Sequence, residues 1–248
     1  MIPYITMAVL TVVVFFIVTL LRNKPHLSAK IGFISWISLS LYFVIEFIVI
    51  QATTAPYDLL RQPMSDLGVT SCGTNTYELA AYEICSPYHL IMNWTFTLTG
   101  IVIFTGAIFL HQFWMNEWKT SVATVLLVVY GMSYGISGII PADVDFLWHT
   151  LAALPGMVVQ IPALILIGLA IKKKMPKLSV WTYVSAFLST SMLILLFIQP
   201  VLPVLPGGLL QRLLYGFVYL WMIVTAIVLW KKFQSGGRQS ENQSIETR

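Results

Sequence analysis

Polar and ionisable residues gather at the margins of long apolar runs in this sequence, where their types could support binding or catalysis. The candidate catalytic residues are His149, Asp143, Asp66 and His89. The candidate ligand-binding residues are Arg61, Arg212, Ser65, Tyr57, Asn93, Glu46, Asp145 and Tyr215. Charged side chains in or beside hydrocarbon are costly, so a set of this kind is a functional hypothesis by default.

Three roles remain open for this polar set. In the first, Arg61 or Arg212 forms an ion pair with Asp66, Asp143 or Asp145 and ties a loop to the helix ends. In the second, an arginine holds the phosphate or carboxylate head of a ligand. In the third, a histidine acts as a general base that an aspartate orients.

A metal site would be the sharpest form of the catalytic role. His89 and His149, with Asp143 or Asp145, could supply three ligands and leave an open coordination position. The sequence contains no HxxxH or HExxH spacing, however. A histidine at a helix start is more often a polar cap, so no metal ligand is predicted and any cofactor is unknown.

Seven apolar runs must position these residues. They cover approximately 3–22, 31–51, 89–111, 121–140, 148–171, 178–199 and 209–230. Each is close to the ~20 residues that a helix needs to cross a bilayer. With 58% apolar and 10% charged residues, the chain is unlike an ordinary soluble domain. We therefore predict an all-α membrane bundle of seven transmembrane helices over residues 1–232.

The charges between the runs predict an orientation. Alternate gaps hold most of the lysines and arginines, including the run 172–174, and the other gaps hold most of the carboxylates. Lysine and arginine stay on the cytoplasmic side, so the amino terminus is predicted outside and the carboxyl terminus inside. We expect a multi-pass protein of the cell (cytoplasmic) membrane with the lipid bilayer as its partner. The polar tail 233–248 is predicted to be disordered and cytoplasmic.

The basic residues do not indicate a nucleic-acid partner. They form short clusters at the ends of the apolar runs, which is typical of topology signals and of contact with anionic lipid. No nucleic-acid binding is therefore predicted.

The longest connection, 52–88, lies on the predicted outer side. It contains both cysteines of the chain, Cys72 and Cys85. Because thiols oxidise outside the cytoplasm, we predict a disulfide, with two unpaired thiols as the alternative. The stretches YDLLRQPM and TYELAAYEI each predict a short amphipathic helix at the membrane interface.

Small residues and prolines mark two of the predicted spans. In the fourth span, Gly131, Gly135 and Gly138 favour close packing against a neighbouring helix. In the fifth, Pro155 and Pro162 predict a kink that frees backbone carbonyl groups.

Three segments carry a resemblance to a known family. They are PYDLLRQPMSDLG (56–68), SPYHLIMNWTFTLTG (86–100) and GISGIIPADVDFLWHTLAALPG (135–156). In these segments the chain resembles the prokaryotic polytopic membrane proteins catalogued as domain of unknown function 998, over about 32–230. The resemblance implies the fold and the topology but no activity. It marks these polar positions as the family's own: Tyr57, Arg61, Ser65, Asp66, His89, Asn93, Asp143 and His149.

The leading functional hypothesis is an outward-facing polar pocket that binds or acts on a lipid or isoprenoid-like amphiphile at the outer leaflet. Arg61 and Arg212 would hold an anionic head, and the candidate catalytic residues would polarise it. One alternative is a small-solute transporter or channel, but apart from Gln160, Tyr134 and the Ser and Thr residues of the sixth span the inner half is predicted to be dry. Another is a non-catalytic accessory or immunity protein. Whether the chain is an enzyme stays open.

Overall fold

The described residues form seven helical spans that are long and apolar enough to cross a membrane. The computed structural model describes residues 1–114 and 116–246, with side chains to residue 235. The α-helices are α1 (Ile2–Leu21), α2 (Pro25–Ser38), α3 (Ser40–Gln51), α4 (His89–Leu110), α5 (Trp118–Ile139), α6 (Phe146–Ile171), α7 (Pro176–Ile198) and α8 (Gly207–Glu246). This confirms the predicted all-α seven-helix fold. The predicted orientation of the termini stays a prediction.

The helices α2 and α3 follow one another as a single span, Pro25–Gln51. The break falls at Leu39, between Ser38 and Ser40. The Ser38 hydroxyl donates to the Ser35 carbonyl at 2.8 Å, and the Ser40 hydroxyl donates to the Ile37 carbonyl at 2.9 Å. Such back-bonding competes with the helical hydrogen bonds, which explains an interruption at this point.

Six spans form a closed ring. The α2–α3 span contacts α4, and the series continues through α5, α6, α7 and α8 back to α2. Helix α1 lies outside the ring against α4 and α5. Inside the ring lies a group of buried aromatic residues, here called the tyrosine cluster: Tyr42, Tyr130, Tyr134, Tyr215 and Tyr219. The Tyr134 ring lies 5.1 Å from that of Tyr215 and 5.9 Å from that of Tyr219, between centroids.

Glycines bring α4 and α5 into backbone contact. A Cβ atom on Gly131 would lie 2.6 Å from the Gly100 carbonyl oxygen, and one on Gly138 would lie 2.6 Å from the Asn93 carbonyl oxygen. Such distances leave no room for a side chain. The fourth-span glycines therefore pack against α4, as their spacing indicates.

Helix α6 continues through Pro155 and Pro162. Ser133 of α5 bridges the two main-chain groups, Gly156 N–H and Ala152 C=O, that would pair in a regular helix. Its hydroxyl accepts from Gly156 N at 2.8 Å and donates to the Ala152 carbonyl. A neighbouring helix thus satisfies backbone groups beside a proline, as a membrane environment requires.

The connection 52–88 has a defined structure at one end of the bundle, here called the loop end. It contains a 3-10 turn (Met64–Gly68) and a two-stranded antiparallel hairpin of β1 (Gly73–Thr74) and β2 (Glu83–Ile84). The Cys72–Cys85 disulfide lies beside the hairpin. The opposite end, with lysines 172–174, is called the lysine end.

The prediction of two amphipathic helices in this connection is wrong. The first stretch forms turns and the start of the 3-10 turn, and the second belongs to the hairpin. Pro63 lacks the N–H that a helix would use. Asn75, the residue directly before the second stretch, has a φ of 54°. This left-handed conformation cannot be part of a right-handed helix.

The predicted tail 233–248 begins within the last turns of the described α8 and ends in two residues outside the described part of the chain. Its predicted disorder stays a prediction.

Candidate functional site

Arg212 lies near the start of α8, and each of its three side-chain nitrogens donates a hydrogen bond to another group of the protein. Its Nε donates to Glu46 Oε1 of α3 at 2.9 Å, and its Nη2 donates to the Tyr57 hydroxyl. Its Nη1 donates to the carbonyl oxygens of Gln62 (2.9 Å), Gly208 (3.0 Å) and Leu59 (3.1 Å). The side chains of Arg212 and Glu46 are both only 10% exposed. This guanidinium therefore joins two spans and the 52–88 connection.

Tyr57 extends this network into the loop. Its hydroxyl donates to the Pro63 carbonyl at 3.0 Å, and its ring lies 5.5 Å from the Arg212 guanidinium carbon. Burial raises the pKa of Tyr57, although the nearby Arg212 lowers it. Tyr57 thus remains a neutral hydroxyl at physiological pH.

Asp66 is held by two tyrosines of the hairpin segment. The Tyr77 hydroxyl donates to Oδ1 at 2.5 Å, and the Tyr82 hydroxyl donates to Oδ2 at 2.8 Å. The residue is 1% exposed. Burial raises the pKa of Asp66 to about 6, while the hydrogen bonds from Tyr77 and Tyr82 oppose the rise. Burial, followed by the charge of Asp66, also raises the pKa of both tyrosines.

Asp143 fastens the segment after the 3-10 turn. Its Oδ2 accepts from the backbone N–H and hydroxyl of Thr70, at 2.9 and 2.7 Å. It also accepts from the backbone N–H and hydroxyl of Ser71, at 3.1 and 3.0 Å. Its Oδ1 is buried without a hydrogen-bond partner among the described residues. Asp143 thus joins the α5–α6 connection to the loop.

Asn93, in the first turns of α4, holds the end of the 3-10 turn. Its Nδ2 donates to the Gly68 carbonyl at 2.8 Å and to the Tyr4 hydroxyl at 3.3 Å. A Cβ atom on Gly68 would collide with the Asn93 amide. Close packing at this position therefore requires glycine.

Three other predicted site residues serve local roles. Asp145 accepts from Trp148 N at 3.0 Å and caps α6. The His89 Nδ1 lies 3.1 Å from the Ser86 carbonyl. Arg61 is 80% exposed and lies 3.9 Å from Asp58.

The predicted ion pairs of Arg61 and Arg212 with Asp66, Asp143 or Asp145 are wrong. Arg61 pairs with Asp58 and Arg212 pairs with Glu46. The three aspartates instead accept hydrogen bonds from tyrosines or from backbone and hydroxyl groups.

The structure does not bring the residues of the hypothetical metal site together. Among the side chains that the structure describes, those of 1–114 and 116–235, no three of His, Cys, Asp or Glu lie close enough together to hold a metal ion. His89 and His149 bind different carbonyl groups, those of Ser86 and Ile140.

A small cavity lies beneath the 3-10 turn, inside the ring of helices. We call it the loop-end chamber, and its volume is about 30 Å³. It contains three of the predicted site residues, Ser65, His149 and Tyr215, together with Tyr134 and Gln211. A water molecule needs about 10–15 Å³ of such space. The chamber can therefore hold about two polar atoms with their hydrogens.

The chamber is lined by hydrogen-bonding groups without formal charge. The His149 Nδ1 lies 2.7 Å from the Ile140 carbonyl, with the Ser137 carbonyl also near the ring. A nitrogen this close to a carbonyl oxygen is a donor, which leaves Nε2 of the neutral ring as an acceptor. The Gln211 Oε1 accepts from Met64 N at 2.8 Å, so its amide nitrogen remains available to donate.

A family model described as Protein of unknown function (DUF998) matches residues 36–228. The chain belongs to the DUF998 family. The matched range contains all the predicted site residues and the whole chamber lining. No curated protein and no solved structure matches the chain significantly.

The DUF998 bundle also contains polar groups below the chamber. The hydroxyls of Tyr130 and Tyr219 lie near that of Tyr134 in the chamber lining. None of the three meets hydrogen-bond geometry with a described residue. The same holds for the side-chain oxygens of Gln160, Ser185 and Thr225, which are also buried. Buried polar groups normally have partners. Tyr130, Tyr219 and Thr225 therefore add to Tyr134, Gln160 and the sixth-span Ser and Thr residues, which the sequence already excepted from the predicted dry half.

Sequence reasoning missed the tyrosine partners of Asp66. Tyr77 and Tyr82 lie 11 and 16 positions after it, and no short-range spacing signals that contact. Only the hairpin returns both rings to the 3-10 turn. The two tyrosines within the segment 72–85 that the predicted disulfide closes were the available hint in this DUF998 sequence.

Proposed function

We propose that this multi-pass membrane protein binds the uncharged, hydroxyl-bearing head of a lipid or isoprenoid-like amphiphile in the loop-end chamber. In the predicted orientation the chamber faces the outer leaflet of the cell membrane. The observation that carries the proposal is the convergence of Ser65, Tyr134, His149, Gln211 and Tyr215 on a cavity of about 30 Å³. A cavity of this volume can take up a hydroxyl group of such a head.

The charge of the site favours a neutral head over the anionic head that the sequence suggested. Arg212 is bonded to Glu46, Tyr57 and three carbonyl groups. Arg61 is exposed beside Asp58 and is not part of the chamber lining. Because bringing an unpaired anion into an uncharged buried site is costly, a phosphate or carboxylate would bind poorly.

The hydrogen-bonding pattern favours a hydroxyl. A hydroxyl group both donates and accepts. It could donate to the His149 Nε2 and accept from the buried Tyr134 hydroxyl, which meets hydrogen-bond geometry with none of the described residues. The amide of Gln211 and the hydroxyl of Ser65 offer further contacts.

Binding is favoured over catalysis at this site. No hydrogen bond joins His149 to Asp143 among the described residues, since the histidine binds the Ile140 carbonyl and the aspartate binds Thr70 and Ser71. A general base oriented by an aspartate would need that contact.

The test uses purified protein in detergent micelles with farnesol, an uncharged isoprenoid alcohol, and farnesyl phosphate, its anionic counterpart. Farnesol should raise the melting temperature, and farnesyl phosphate should bind at least tenfold more weakly. Tyr134→Phe and Ser65→Ala should each weaken farnesol binding about fivefold to tenfold, the usual effect of one lost hydrogen bond. His89→Ala, outside the chamber, is the matched control.

Tighter binding of farnesyl phosphate than of farnesol would contradict the uncharged-head proposal. Equal farnesol affinity in the Tyr134→Phe, Ser65→Ala and His89→Ala proteins would remove the chamber as the binding site.

A second candidate function, passage of protons or a small solute, is favoured by the unpartnered polar groups below the chamber. Within the described part of the chain, a buried side-chain oxygen has no hydrogen-bond partner in each of Tyr130, Gln160, Ser185, Tyr219 and Thr225, and such groups can hold water. Proton or solute flux in liposomes that Gln160→Leu abolishes would favour this function. Absence of flux in the wild-type protein would leave binding as the better proposal.

A further inference from the structure

A second cavity lies between α7 and α8 at the lysine end, and it shares no lining residue with the chamber. Its volume is about 530 Å³, within the ~300–1,000 Å³ typical of small-molecule sites. Leu178, Trp181, Val224 and Val228 form much of its apolar wall. We call it the α7–α8 cleft.

Three lysines border the cleft. Lys174 and Lys177 flank the start of α7, and Lys232 lies near the end of the last span. All three are exposed, and none forms an ion pair within the described residues. No carboxylate lines the cleft, so none of the described lining residues compensates its positive charge.

Trp181 supplies a second and independent indication of a ligand. Its Nε1 is buried and has no hydrogen-bond partner among the described residues. A buried N–H without an acceptor costs roughly 1–3 kcal/mol. The indole ring lines the cleft, so a small shift of the ring on binding would let a ligand oxygen accept from this N–H.

The depths of these groups match a phospholipid. Both helices cross the membrane, so the lysines at their ends lie at the level of the lipid headgroups. Trp181 is five positions after Pro176, or about 8 Å deeper at 1.5 Å per residue. Val224 lies eight positions before Lys232, or about 12 Å deeper. Positive charge, then an N–H donor, then an apolar wall is the order of a phosphate, an ester and an acyl chain.

From these observations we infer that the α7–α8 cleft binds an anionic phospholipid. Its phosphate lies between Lys174, Lys177 and Lys232. The Trp181 N–H donates to a phosphate or ester oxygen, and one acyl chain follows the wall of Val224 and Val228. Basic pockets between transmembrane helices are known to bind anionic lipid headgroups. The inference rests on neither the proposed function nor the predicted orientation.

Native mass spectrometry of the purified protein with phosphatidylglycerol or phosphatidylcholine tests the inference. The wild-type protein should retain phosphatidylglycerol preferentially. The triple variant Lys174→Gln/Lys177→Gln/Lys232→Gln should lose about 100-fold in affinity at low salt, since each lysine near an anionic headgroup contributes about fivefold. Trp181→Phe, which keeps the aromatic wall but removes the donor, should lose about fivefold to tenfold.

A matched control variant carries the same charge change outside the cleft. Lys172→Gln/Lys173→Gln/Lys231→Gln alters neighbouring lysines that do not line it, and its affinity should stay within about threefold of the wild-type value. An equal loss in the two triple variants would reduce the effect to general basic charge and overturn the site. Equal retention of phosphatidylcholine and phosphatidylglycerol would overturn the anionic headgroup. Full competition by glycerol phosphate, which has no acyl chain, would overturn the lipid as the occupant.

Discussion

Arg212 and Glu46 form a buried ion pair, with Nε and Oε1 2.9 Å apart, although 166 positions separate them in the chain. The pair joins the last span to the second, and the same guanidinium bonds to the loop through Tyr57. The loop above the chamber is therefore fixed by an interaction that links distant parts of the sequence. Its loss should disturb the whole loop end.

Replacing Arg212 should be strongly destabilising. Arg212→Met leaves Glu46 buried without its partner, and breaking a buried pair in this way typically costs about 3–5 kcal/mol. The free energy of unfolding in mixed detergent micelles, followed by circular dichroism, measures the change. Arg61→Met is the control: its side chain is 80% exposed, and exposed pairs contribute only about 0–1 kcal/mol. Similar losses in the two variants would mean that the buried pair is not what stabilises the loop end.

Asp66 should make stability depend on pH. Its pKa is raised from 3.8 to about 6 by burial, so the folded protein binds the proton more readily than the unfolded chain does. This contribution to stability is complete below the unfolded pKa and is lost as the pH rises through about 6. On acidification from pH 8 to pH 5, the wild-type protein should gain about 1 kcal/mol more than Asp66→Asn.

The exposed carboxylate of Asp58, in the same loop, provides the control for this experiment. Asp58→Asn should keep the wild-type pH dependence of unfolding between pH 5 and pH 8. An Asp66→Asn protein with the same pH dependence as the wild type would assign the effect to another group.

The sequence predicts the spans but not the partners of their polar residues. Spans are readable because hydrocarbon demands about 20 apolar residues whatever the neighbours. Arg212 pairs with Glu46 because α8 lies next to the α2–α3 span in the ring. The hydropathy of the sequence does not show which spans are neighbours. Asp66 contacts Tyr77 and Tyr82 only because the two paired strands of the hairpin, which lie before and after these tyrosines in the chain, bring them back to the 3-10 turn. The sequence names the chamber residues Ser65, His149 and Tyr215 as candidates because His149 and Tyr215 are polar groups near span ends and Ser65 belongs to the polar loop segment RQPMSDLG.

Gly100 should be intolerant of a side chain. A Cβ atom on Gly100 would collide with the Gly131 carbonyl oxygen and lie 2.7 Å from the Gly135 Cα, both backbone atoms of α5. Gly100→Ala must therefore push α4 and α5 apart, at a cost of about 1–3 kcal/mol. Gly216→Ala is the matched control, because its Cβ would lie an ordinary 3.8 Å from the Phe43 ring. Equal melting temperatures of the two variants would contradict the close α4–α5 contact.

The Cys72–Cys85 disulfide should stabilise the hairpin segment more than the bundle. It closes a segment of sequence separation 13, for which chain entropy suggests about 3 kcal/mol. Cys72→Ala/Cys85→Ala should make amides of 69–88 exchange hydrogen faster, while those of α4 and α5 keep their wild-type rates. Reduction of the wild-type protein should reproduce this pattern. Faster exchange throughout α4 and α5 would show instead that the disulfide supports the whole bundle.

The orientation predicted from charge can be tested with single cysteines. In the Cys72→Ala/Cys85→Ala background, Glu78→Cys places a thiol at an exposed loop position and Lys173→Cys places one at the exposed lysine end. A membrane-impermeant maleimide applied to intact cells should label Glu78→Cys alone, because the positive charge of the lysine end predicts that this end faces the cytoplasm.

Permeabilised cells, in which both thiols should react, control for accessibility and expression. The reverse pattern in intact cells would place the loop end in the cytoplasm. The chamber would then face the inner leaflet, and its proposed ligand would be sought there. The α7–α8 cleft would remain a phospholipid site, since its three lysines and the Trp181 donor do not depend on which leaflet they meet.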